Sequence, residues 1–139
     1  MDIDGRCAIV TGGSSGIGKS IAKRLARRGA NVFLVARREE PLKAAVGELQ
    51  EETRDVPQRF GFFSADVADL AAVERAVKAA EAECGPAAVL VNSAGIVNPG
   101  YAEELPISGM EAEIKVNYLG SVYMIKQVLN GMIERRRGW

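Results

Sequence analysis

The feature that most constrains this chain is a repeated change of hydrophobic period between Cys7 and Val91. Short apolar runs occur at Cys7-Ala8-Ile9-Val10, Val32-Phe33-Leu34-Val35, Phe60 to Phe63 and Ala88-Val89-Leu90-Val91, with Gly, Asn, Asp or Pro at their margins. Runs of that length predict buried strands. Between them apolar residues recur at helical spacing: Ile17, Ile21, Ala22 and Leu25, then Leu42, Ala45, Val46 and Leu49, then Leu70, Val73, Ala76, Val77 and Ala80. Gly29 marks the end of the first helix and Cys84-Gly85-Pro86 the end of the third. Strands that alternate with helices are joined by right-handed crossovers, so they must run parallel. The expected class is α/β with a parallel sheet.

Beyond the fourth strand the pattern loosens. Gly95, Asn98-Pro99-Gly100 and Pro106 predict a loop over 93–106, and a helical segment follows from about Ile107 through Asn117 to Ile133. With no repeats, low-complexity tracts or linkers, residues 1–139 read as one nucleotide-binding unit. A parallel sheet expects a strand after each long helix, yet only Glu134-Arg135-Arg136-Arg137-Gly138-Trp139 follows. That ending reads as a cut at a helix–strand junction.

Charge and composition exclude several function classes. Eighteen Lys plus Arg balance eighteen Asp plus Glu, which argues against nucleic-acid or membrane-surface binding through clustered positive charge. No apolar run has the roughly 18 residues of a membrane-spanning helix. The start Met1-Asp2-Ile3-Asp4-Gly5 is unlike a signal peptide. Without histidine, Cys7 and Cys84 predict neither a zinc site nor a disulfide framework. They read as small buried residues in a reducing, cytoplasmic setting.

The chemistry centres on Thr11-Gly12-Gly13-Ser14-Ser15-Gly16-Ile17-Gly18, where the first strand meets the first helix. A turn tight enough to press backbone amides against a phosphate needs residues without a Cβ. The helix amino terminus then offers unpaired N–H groups and a positive dipole end. The spacing Gly-x-x-x-Gly-x-Gly differs from Gly-x-Gly-x-x-Gly, and no Gly-Lys-Ser/Thr closes it as a P-loop would. The alternative is a Gly/Ser turn without a ligand.

This run, together with Asp66, Asn92-Ser93-Ala94-Gly95 and Asn117, resembles the short-chain dehydrogenase/reductase superfamily from Arg6 to Gly138. Gly12 to Lys19, Leu34-Val35-Ala36-Arg37, Asn117-Tyr-Leu-Gly-Ser-Val-Tyr123 and Glu134 to Gly138 are most similar to 3-ketodihydrosphingosine reductases. The resemblance implies a truncated, Rossmann-type doubly wound sheet of order 3-2-1-4 with helices on both faces. It implies an NADP(H)-dependent oxidoreductase that reduces a ketone, for the subfamily a lipid ketone, 3-ketosphinganine. Gly12, Ser14, Ser15, Gly16, Ile17 and Gly18 would contact the adenosine ribose and phosphates. Arg37 stands where an NAD-selective site carries an acid, and its guanidinium can pair with the 2′-phosphate of NADP. Asp66 would accept from the adenine amino group beside Val67, although Asp66 also has the chemistry of a helix cap. Asn92, Ala94 and Gly95 would flank the nicotinamide ribose, with Ser93 where the family usually shows a second Asn. Asn117 would support the water of the family's proton relay.

The rest of the family's catalytic set is missing. Tyr101, Tyr118 and Tyr123 are followed four residues later by Leu105, Val122 and Gln127, so no Tyr-x-x-x-Lys occurs. The expected function is therefore the cofactor-binding portion of a reductase. The alternative is an inactive nucleotide-binding or interaction module. Apolar residues on more than one face of the last helix suggest a homo-oligomer. The edge of the strand Ala88 to Val91 is expected to be unpaired.

Overall fold

The structure, a computed structural model, describes residues 2–54 and 56–139, so Met1 of the acidic amino terminus lies outside the described residues. The four apolar runs form β1 (Cys7–Thr11), β2 (Asn31–Ala36), β3 (Phe60–Ser64) and β4 (Ala87–Val91). All pair in parallel, in the order β3-β2-β1-β4. The connecting helices are α1 (Gly16–Arg27), α2 (Glu39–Glu52) and α3 (Leu70–Cys84). After the loop come α4 (Ile107–Glu113), a π-helical stretch (Ile114–Leu119) and α5 (Gly120–Glu134).

Each central strand is apolar at nearly every position because both faces are covered. Ala8, Val10, Val32 and Leu34 share one core with Ala22, Leu25, Leu42 and Leu49 of α1 and α2. Cys7, Ile9, Phe33 and Val35 share the other with Val73, Ala76 and Val77 of α3 and Met124 and Val128 of α5. Cys7 and Cys84 are both free and buried. The Cys7 thiol is pushed above its ordinary range, first by its contact with Cys84 and then by burial.

Local chemistry fixes the helix ends. Asp69 caps α3, its Oδ1 accepting from the Ala72 N–H at 3.2 Å. That frees Asp66 for another task. Helices α1 and α2 are stitched by a ladder of charges. Lys23 Nζ lies 2.8 Å from Glu48 and 2.7 Å from Glu52, and Lys19 and Arg27 extend it at 3.0 and 2.9 Å.

The single helix expected from Ile107 to Ile133 is divided by the π-helical stretch. Asn117 sits inside that stretch and clamps the loop after β4. Its Oδ1 accepts from the Ile96 N–H and its Nδ2 donates to the Ile96 carbonyl, each at 2.8 Å. Ser121 Oγ in turn donates to the Asn117 carbonyl at 3.1 Å. The outer edge of β4 is not wholly open either. Trp139 N–H donates to Ala88 O at 3.0 Å, and Leu90 N–H donates to Trp139 O at 2.9 Å.

Candidate nucleotide-binding site

Parallel strands place their following loops at one end of the sheet, and a ligand cleft forms where the connections diverge to opposite faces. Here β1 leads to α1 on one face, while β4 leads to the loop held by Asn117. Between them opens a cleft of about 430 Å³, within the usual range for small-molecule sites.

The glycine run forms its floor. Gly12 has φ +64, and a Cβ there would lie 2.7 Å from the Ser93 carbonyl, so the β1 and β4 loops touch through bare backbone. Gly16 has φ +53, and the position its Cβ would take has no atom within 4 Å. That open space lies at the first turn of α1, whose N-cap Ser15 makes no side-chain cap bond. The first-turn amides thus remain available to an anion.

Thr11 joins the two loops. Its Oγ1 accepts from the N–H groups of Ser93 and Ala94, each at 3.1 Å, and donates to Val91 O at 3.4 Å. Thr11 is only 1% exposed, so this hydroxyl acts as an internal brace. Asp66 is oriented in a similar way, with Oδ1 accepting from Ala68 N–H at 2.9 Å.

Arg37 stands at the end of β2, exposed beside the cleft. Among the described residues neither Arg37 nor Arg38 makes an ion pair, and the first carboxylates beyond them are engaged elsewhere. Glu39 and Glu40 hold Lys43 at 2.9 and 3.1 Å, facing along α2. No acid therefore occupies the end of β2.

Gly12, Ser14, Ser15, Gly16, Ile17, Gly18, Arg37, Asp66, Val67, Ala94 and Gly95 all line this cleft. Two other anticipated residues do not. Asn92 borders a second groove with Leu90 and Trp139. Asn117 stands behind Gly95, its Oδ1 3.3 Å from where a Gly95 Cβ would be. Ala36, Arg38, Ala65 and Ser93 line the cleft without having been singled out as contacts. The available signal was position, since Ala36 and Ala65 end or follow strands at the sheet's carboxyl edge.

Residues 6–139 match the family described as short chain dehydrogenase. The chain is 42% identical over 139 residues to the 3-ketodihydrosphingosine reductase of Bos taurus, covering 99% of this chain and 42% of that protein. It is 36% identical over 136 residues to the 2,3-dihydro-2,3-dihydroxybenzoate dehydrogenase of Bacillus subtilis, covering 98% and 51%. Among solved structures, L-sorbose reductase from Gluconobacter frateurii, complexed with NADPH and L-sorbose, is similar with a TM-score of 0.87 and 31% identity. That match covers 97% of this chain and 51% of the other. The chain thus spans about half the length, or less, of these relatives.

Proposed function

This chain belongs to the short chain dehydrogenase family of oxidoreductases, and on that premise we propose that it is the NADP(H)-binding part of a ketone reductase. The carrying observation is the cleft itself, with an open phosphate turn at Gly16 and an unpaired guanidinium, Arg37, in place of an acid at the end of β2. When bound, the nicotinamide supplies the hydride for reduction of the carbonyl carbon. In this reading the amides of Ser15 to Gly18 hold the pyrophosphate, Arg37 and Ser14 the 2′-phosphate, and Asp66 and Val67 the adenine. Ala94 and Gly95 leave room for the nicotinamide ribose. Asn117 acts by positioning: it fixes the loop that carries Gly95 and supports the water of a proton relay.

The substrate we infer is a lipid ketone, 3-ketosphinganine, supported by 42% identity to the Bos taurus reductase. A cytoplasmic setting belongs to the same reading, supported by the free, buried thiols.

The test is cofactor preference. A hydrogen bond to a charged partner contributes about 1.5–3 kcal/mol, or about 10- to 150-fold in affinity. Wild type is expected to bind NADPH over NADH by a factor in that range, shrinking as salt rises. Arg37→Asp is expected to abolish the preference. Equal dissociation constants in wild type, or a preference that survives the substitution, would remove Arg37 from the site.

A further inference from the structure

The basic run near the chain's end has no part in the nucleotide cleft, yet it helps build another one at the opposite end of the sheet. There, where β1 and β4 begin, a cleft of about 240 Å³ is lined by Arg6, Arg59, Arg135 and Arg137. That space suits a phosphate or pyrophosphate and is small for a whole dinucleotide. Gly85 and Pro86 border it, and Cys7 and Cys84 line it from the core side.

We propose that these four arginines form a second anion site, for a ligand bearing a phosphoryl group. Arg6 is held by Asp2 at 3.2 Å. Arg135 Nη2 donates to Ala87 O at 2.8 Å, which fixes the guanidinium at the start of β4 and leaves its other N–H groups free. Arg59 lies across the mouth, its Nη2 3.7 Å from where a Gly85 Cβ would stand. Among the described residues, Arg59, Arg135 and Arg137 have no carboxylate within 4.0 Å. The nearby acids have other work: Asp2 holds Arg6, Glu81 Oε1 accepts from Ala87 N–H at 3.2 Å, and Glu83 lies over Gly61.

Guanidinium groups crowded around one small space repel each other unless an anion sits among them. Their planar forks match phosphoryl oxygens, which can take two parallel N–H bonds from each. A chloride ion could neutralise charge there but could not use that geometry. The site does not depend on the nucleotide reading, because it shares no residue with the first cleft.

Calorimetric titration of the 139-residue chain with inorganic pyrophosphate tests this, with NADPH kept saturating so that the phosphate turn of the nucleotide cleft is already filled. Binding is expected to weaken about tenfold or more on Arg59→Gln with Arg137→Gln, while NADPH affinity stays unchanged. If that double variant fails to fold, Arg59→Lys with Arg137→Lys keeps charge and loses the fork, and a several-fold loss is expected. Phosphatidylcholine vesicles with and without phosphatidic acid distinguish a lipid headgroup from a free phosphate. Retention on the acidic vesicles that the double variant loses supports the same site with a membrane source. Pyrophosphate and vesicle binding both absent, or both indifferent to Arg59 and Arg137, would overturn it.

Discussion

At the scale of single residues, the site rests on side chains that no ligand would touch. Thr11 is the clearest. Its hydroxyl serves two amides and a carbonyl at once, and only because β1 and β4 are neighbours although 80 residues apart. Thr11→Val keeps the shape and strands the Ser93 and Ala94 N–H groups. Leaving partly buried donors unsatisfied costs about 1–3 kcal/mol, so the urea midpoint should fall by a corresponding amount and NADPH affinity with it. An unchanged midpoint would mean that water replaces the hydroxyl freely. Gly16 poses a different case, legible from the outset: its spacing to Gly12 and Gly18 marks a turn without side chains, and the positive φ agrees. Asn92 was less legible. Its position after β4 pointed to the cleft, but the residue borders the second groove with Leu90 and Trp139.

At the scale of elements, two features carry predictions. The ladder between α1 and α2 holds the Glu48 and Glu52 carboxylates below their ordinary 4.5, chiefly through Lys23. A carboxyl group with a lowered folded-state pKa stabilises above its unfolded value and loses that contribution as pH falls through the folded value. Glu48→Gln with Glu52→Gln should therefore lower Tm at neutral pH, and the gap to wild type should close below 4.5. A gap that persists once both carboxyls are protonated in the folded state would assign the effect to helix propensity instead. The last helical rod offers the second case. Met124 and Val128 face the core, while Ile114, Tyr118, Ile125, Leu129 and Ile133 form an exposed apolar stripe. A partner helix would cover such a stripe, and we propose a second copy of the chain as that partner. Sedimentation should show concentration-dependent association that Ile125→Lys with Leu129→Lys abolishes. A strictly monomeric wild type would count against it.

At the scale of the whole molecule, binding and turnover should come apart. Hydride transfer to a ketone also needs a proton donor near the carbonyl oxygen. Tyr123, the last tyrosine in the chain, packs against the core shared by α3 and α5. The 139-residue chain is expected to bind NADPH without oxidising it in the presence of a ketone, followed by absorbance. Turnover that disappears in Tyr123→Phe would overturn this and reassign the donor.

The amino-acid sequence by itself determined the number of strands through Val91, their alternation with helices, their parallel direction and the glycine turn after β1, while the sheet order was implied only by the family resemblance. Those follow from short-range rules: residue period sets the element, and crossover handedness sets the direction. Strand limits also agreed to within a residue, as at β1, expected to Val10 and found to Thr11. What only the tertiary structure decided depends on distant segments meeting. The brace from Thr11 to Ser93 is one such meeting, and the clamp of Asn117 on Ile96 within a π-helical stretch is another. The gathering of Arg6, Arg59, Arg135 and Arg137 around one cleft is a third. No local pattern encodes these, because a side chain's hydrogen-bond partner is chosen by packing rather than by its neighbours in the chain.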